Sequence, residues 1–115
     1  MGMTIQLLSS KLATITHERD GLPISVQHFT WCPGCQMIHP INVTGCPQDG
    51  PKWSFDGNAQ APTFGPSVKV DLGRNPGATC HYFVRAGQIQ FCGDSTHALA
   101  GKTVPLPDIP DDWRD

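Results

Sequence analysis

The chain of 115 residues has the length of one small domain with room for one modest core. Charged residues make up 16% and the formal net charge is −2, so no field draws the protein onto phosphates, which argues against non-specific nucleic-acid binding. Twelve glycines and eleven prolines suit short strands and structured loops rather than long helices, and no apolar run is long enough to span a bilayer.

Residues 1–21 lack an unbroken apolar run of signal-peptide length, so the chain reads as a mature cytoplasmic protein with no membrane part. In a reducing cytosol, an odd set of five cysteines speaks for metal binding rather than a disulfide framework. Residues 5–8 and 12–16 are short β-leaning runs, joined through Ser9-Ser10 as a first hairpin. Residues 24–31, ISVQHFTW, alternate like a strand and end at the CPGC turn. Residues 44–66 are dense in Gly, Pro, Asp and Asn, with Trp53, Phe55 and Phe64 placed to pin an irregular loop onto the core.

Residues 67–72, SVKVDL, form another alternating strand. The runs CHYFVR (80–85) and QIQFC (88–92) flank Ala86-Gly87 as a tight hairpin. A two-residue loop sets Val84 against Ile89, Tyr82 against Phe91 and His81 against Cys92. A three-residue loop with a bulge sets Cys80 against Cys92 instead, and the sequence leaves both registers open. Beyond the hairpin, Asp94 or Ser95 can cap a helical turn through Ala100, ended by Gly101, with His97 near its start. Prolines 105, 107 and 110 keep the tail extended, and Trp113 can fold back onto the body. The expected fold is mainly β: a small, single-domain antiparallel β fold over residues 1–115, zinc-stabilised, with a zinc-ribbon-like CPGC knuckle and one short helical turn.

The stretch WCPGCQMIH, residues 31–39, raises three chemistries. A redox pair needs a helix directly after the first cysteine, but Pro40 stops any helix after about one turn and no βαβ pattern is near. As half of a zinc site the stretch fits better, because Pro33-Gly34 suits a tight turn whose N–H groups point at sulfurs. A structural zinc ion needs four ligands. One completion is local, with Cys32, Cys35, His39 and Cys46 spaced C-x2-C-x3-H-x6-C, close to a nucleic-acid-binding knuckle. Between Thr30 and Gly50, however, there is no Lys or Arg to meet a phosphate. The other completion takes Cys32, Cys35, Cys80 and His97 as zinc ligands and staples the two halves of the chain together. His81, His39 and Asp94 stand beside this set as alternative ligands or as outer partners that fix a histidine tautomer. Cys92 reads as a small buried residue, and His17 and His28 as framework.

The segments HFTWCPGCQMIH, APTFGPSVKV and CHYFVRAGQIQFCGDSTHALAGKTVPLP, with the closing Trp113, resemble a family of small phage and bacterial proteins, domain of unknown function 6527. The resemblance covers about residues 24–113. Some relatives carry an ammonia monooxygenase label, which a chain without membrane-spanning segments does not support. The family pattern marks Cys32, Cys35, His39, Cys80, His81, Asp94 and His97, and the run Pro62, Thr63, Phe64, Pro66 and Ser67. Cys46 and Cys92 fall where relatives usually have other residues, and Gln36 stands in place of a frequent Gly. The resemblance implies a phage or prophage origin, or a place beside bacterial ubiquitin-like conjugation genes, and brings no established activity.

The function expected on these grounds is a non-catalytic, zinc-stabilised binding domain: a phage or prophage accessory protein of the host cytoplasm, with a host or phage protein as partner. The alternative is a zinc-dependent hydrolase, peptidase or nuclease, with His81, Asp94 and His97 as ligands or Asp94 as base. It lacks H-E-x-x-H, and Glu18 is the only glutamate in the chain. A nucleic-acid-binding module using Trp31, Trp53 and Phe55 is the third reading.

Overall fold

Alternation of β-branched and apolar residues with polar ones builds the first sheet from β1 (Gly2–Leu7), β2 (Ala13–Arg19) and β3 (Leu22–Phe29), antiparallel in that order. The computed structural model describes residues 2–72 and 78–113. Ser9 closes the first hairpin by accepting hydrogen bonds from the N–H groups of Lys11 and Leu12. Asp20 and Gly21, both left-handed with φ 55° and 76°, close the second, which places the start of the expected 24–31 strand two residues earlier. That strand ends at Phe29. Trp31–Cys32 (β4) pairs instead with Met37–Ile38 (β5), in a separate ribbon around the CPGC turn.

The second sheet is antiparallel and five-stranded. It holds β6 (Ser54–Phe55), β7 (Phe64–Asp71), β8 (Thr79–Arg85), β9 (Gln88–Phe91) and β10 (Thr103–Pro105), in the order β10-β9-β8-β7-β6. Ala86 and Gly87, with φ 48° and 77°, form a two-residue loop. Val84 therefore faces Ile89 and Tyr82 faces Phe91, which settles the register left open by the sequence. The proline-rich tail adds β10 at the sheet edge, where a residue without an N–H is tolerated.

Strict alternation on β8 and β9 turns Cys80, Tyr82, Val84, Ile89 and Phe91 inward, to pack with Phe64, Val68, Leu12 and Leu106. Trp53 and Phe55 pack against this core, and the Phe55 and Phe64 rings stack at 5.1 Å, so the aromatics pin the 44–66 loop as expected. A smaller cluster joins Ala13, Ile15, Phe29 and Ile109, with Trp113 folded back edge-on to Phe29 at 6.4 Å. Among the described residues the helical turn lies at Asp111–Trp113, not over residues 94–100 as expected. The reason is local. Ser95 and Thr96 turn their hydroxyls to the backbone of β8 rather than to the N–H groups of a nascent helix.

Candidate active site and metal centre

Two sites lie back to back on β8, because side chains alternate across a strand. Cys80 is fully buried, whereas His81 stands on the outer face with a quarter of its side chain exposed. On the neighbouring strand, Phe64 pairs with Val84 and Val68 with Tyr82, so Gly65, Pro66 and Ser67 stand against Phe83 alone. Next to the inward Val68, Ser67 takes the outer face. The Trp53 indole N–H fixes it there by donating to the Ser67 carbonyl at 3.1 Å.

The result is a relay of three side chains. Ser67 Oγ lies 3.0 Å from His81 Nε2, and His81 Nδ1 lies 3.1 and 3.2 Å from the two oxygens of Asp94. A carboxylate at Nδ1 keeps the ring proton on that nitrogen, which leaves Nε2 free to accept from the Ser67 hydroxyl. Ser95 holds the base from behind. Its buried hydroxyl accepts from the His81 N–H at 3.1 Å and donates to the His81 carbonyl at 3.0 Å. Asp94 is half exposed, so the relay opens directly to the surface.

The sequence brought out His81 and Asp94 but passed over Ser67 as a nucleophile, naming it only within the PTF-x-PS run. Strand parity was the missing signal, since it sets Ser67 and His81 on one face. The three-for-one bulge keeps that parity, because Phe64 and Val68 both face inward on either side of it, but it breaks the register that would show which residue of β8 Ser67 meets. The trio proposed for a zinc hydrolase is divided by the strand. His81 and Asp94 join the relay outside, while His97 lies edge-on to Phe91 at 4.5 Å beside Cys80.

On the inner side, the CPGC turn folds as a knuckle. The Cys35 N–H points at Cys32 Sγ at 3.3 Å, the Gln36 N–H bonds the Cys32 carbonyl at 2.7 Å, and Gln36 adopts φ 56°, the conformation a glycine there would take. Cys80 Sγ comes within 3.8 Å of Cys32 Sγ. The sulfurs of Cys32, Cys35 and Cys80 and a ring nitrogen of His39 all lie within 4.8 Å of one another. His39 is buried against the Tyr82 ring at 5.8 Å, and its Nε2 has no hydrogen-bond partner. The Cys80 thiol, hydrogen-bonded to Cys32, holds Cys32 down to about 4, while burial and the Cys32 charge push Cys35 up to about 11. Hydrogen bonding to Cys32, then burial, raises Cys80 further still. Three thiolates cannot share this space without a cation, and a ring nitrogen of the buried His39 stands among them, so the residues fit a metal ion.

His97 sits against this group in another way. Its Nε2 lies 3.4 Å from Cys80 Sγ, while its Nδ1 accepts the Leu99 N–H at 3.2 Å. A β-carbon at Gly34 would fall on the His97 ring, so the knuckle glycine is what admits this histidine. Cys46 takes no part: its thiol donates to the Gln48 carbonyl at 3.7 Å, and the local knuckle completion is not assembled.

A family model described as bacterial ubiquitination-like system serine protease (BubE) matches residues 5–92. The match takes in Ser67 and His81 and ends two residues before Asp94. No curated protein and no solved structure matches the chain significantly. The family match corrects the resemblance to domain of unknown function 6527. It also overturns the expected non-catalytic phage accessory domain, since the family is described as a protease of a bacterial system. The hydrolase alternative stands closer to the findings than that reading did.

Proposed function

The chain belongs to the BubE family, and from that premise we propose that it is a serine peptidase of a bacterial ubiquitination-like system. The observation that carries the reading is the alignment of Ser67 Oγ, His81 and Asp94 through contacts of 3.0 and 3.1 Å. A serine hydroxyl is a weak nucleophile until a neighbouring base takes its proton as it attacks. Here Ser67 Oγ adds to the scissile carbonyl while His81 Nε2 accepts its proton. Asp94 holds the imidazole in the required tautomer and stabilises the imidazolium. The same His81 proton then passes to the leaving amine. The acyl group stays on Ser67 until water, deprotonated in turn by His81, releases it. The order Ser, His, Asp along the chain is immaterial, because such a triad is defined by geometry and roles. An open relay on the face of a sheet suits a segment of another protein as substrate, and the partners on this reading are proteins.

For the inner group we propose zinc, held by Cys32, Cys35, Cys80 and His39. Three thiolates and an imidazole form a closed tetrahedral set of the kind structural zinc prefers. His97 then serves Cys80 as an N–H donor. Its Nδ1 already accepts from Leu99, so in the neutral ring the proton sits on Nε2, facing sulfur. The metal contributes the tie between the β4–β5 ribbon and β8, and the reaction runs through the residues of the outer face. Among the described residues, no helix is long and apolar enough to cross a membrane.

The test is covalent labelling with a fluorophosphonate followed by intact mass and peptide mapping. One adduct on Ser67 is expected, absent in Ser67→Ala and strongly slowed in His81→Ala. An unlabelled native protein that cleaves peptides as fast as its Ser67→Ala variant would end the proposal.

A further inference from the structure

The segment that supplies Asp94 also brings a thiol to the base. Cys92 Sγ, a carboxylate oxygen of Asp94 and a ring nitrogen of His81 all lie within 4.8 Å of one another. The position of Cys92 is set by the fold, since its backbone N–H bonds the His81 carbonyl at 2.8 Å. A Ser-His-Asp relay has no use for this sulfur, which nevertheless sits in the partly exposed mouth of the site.

We propose that His81, Cys92 and Asp94 form a second metal site, which takes a divalent cation of the zinc class and thereby switches the relay off. The inhibitory consequence rests on the serine-peptidase reading; the binding itself does not. The donor set is one sulfur, one nitrogen and one oxygen. It favours borderline-soft cations such as zinc or cadmium over magnesium and calcium, which seek oxygen alone. On binding, Cys92 gives up its thiol proton to solvent, His81 contributes a neutral imidazole, and no other bond changes. Three protein ligands leave the fourth position to water, so this site binds more weakly than the closed set around Cys80. Whichever ring nitrogen of His81 takes the ion, the base is lost. At Nδ1 the ion displaces the hydrogen bond to Asp94, and at Nε2 it displaces Ser67.

The experiment starts from protein carrying one zinc equivalent and titrates cadmium, read by thiolate-to-cadmium absorbance and by metal content after equilibrium dialysis. A second equivalent is expected. Cys92→Ser and, separately, Asp94→Asn should weaken it by about 10- to 100-fold or more, given what loss of even an outer partner does to a metal site. In parallel, cadmium and zinc should slow both peptide cleavage and fluorophosphonate labelling of Ser67. Cys92→Ser, measured against its own metal-free rate, should need correspondingly more metal. No second equivalent in the native protein, or one that Cys92→Ser binds as tightly, overturns the site. Binding through Cys92 that leaves labelling and cleavage untouched overturns the switch. A Cys92-dependent second equivalent in a protein that neither labels nor cleaves upholds the site and removes the peptidase reading instead.

Discussion

Cys80 and His81 are neighbours on one strand and serve opposite faces of it: Cys80 is buried 3.8 Å from Cys32 Sγ, and His81 stands outside, 3.0 Å from Ser67 Oγ. One peptide bond therefore links the proposed metal tie to the proposed catalytic base. Anything that lets the strand drift on the sulfur side moves the imidazole on the other, and a reaction that depends on contacts near 3 Å tolerates little drift.

Removal of the inner zinc should therefore lower both stability and activity, although none of its four proposed ligands belongs to the relay. Stripping zinc with a chelator, or the substitution Cys80→Ser, should lower Tm by about 10 °C or more, since roughly 2 kcal/mol shifts a domain of this size by that much. Calorimetry on metal-loaded and stripped protein reads the first effect, and Ser67 labelling below the lowered Tm reads the second. Stripped protein that melts and labels like the loaded form would show that nothing of consequence binds there.

The fourth ligand is decided by comparing His39→Ala with His97→Ala. If His39 coordinates, His39→Ala should weaken zinc by more than the 10- to 100-fold that loss of an outer hydrogen bonder brings, and His97→Ala should fall within about that range. Competition against a chromophoric chelator gives both numbers. The reverse order would give the fourth position to His97.

Ser95 is argued to act through His81, as a positioning residue, by holding its N–H and its carbonyl at once. Ser95→Ala leaves the His81 N–H short of a partner at a buried position, while the His81 carbonyl keeps the Cys92 N–H, and the loss costs about 1–3 kcal/mol. A merely structural role ends there. A positioning role also lowers kcat, by about tenfold for each 1.4 kcal/mol of lost transition-state stabilisation, with KM little changed. Steady-state kinetics well below the variant's Tm separate the two.

How much of this was legible before the fold was known varies with the range of the interaction. The 80–92 hairpin could be read because its signals are local: alternating residues on both arms and a glycine able to take φ 77°. The Cys32, Cys35 and Cys80 partnership was also readable, because CPGC shows half a site and chemistry demands the rest. Asp20-Gly21 carried a hairpin signal of the same local kind and was overlooked. The choice between His39 and His97 depends on which ring the packing of Tyr82 and Phe91 sets near the sulfurs, and no sequence spacing encodes that. Ser67 lay beside a bulge, and Asp94, read as a base, a ligand or a helix cap, was set beside His97 rather than His81, because Ser95 and Thr96 prevent the helix that would have paired them.

Gly34 offers the sharpest test of the knuckle. A β-carbon there would fall on the His97 imidazole, so Gly34→Ala must drive the ring off Cys80 Sγ or open the CPGC turn. Overpacking of this kind costs about 1–3 kcal/mol. Zinc affinity should drop as well, because Cys80 loses its N–H donor. Removing the obstacle should undo most of this. In Gly34→Ala/His97→Ala the alanine methyl moves into space the ring has left, and the double variant should be more stable than the sum of the single losses by about 1 kcal/mol or more, the coupling expected of residues in contact. Urea denaturation of the four metal-loaded proteins closes the cycle. Simple additivity would place His97 away from Gly34 and would take from it the role of donor to Cys80.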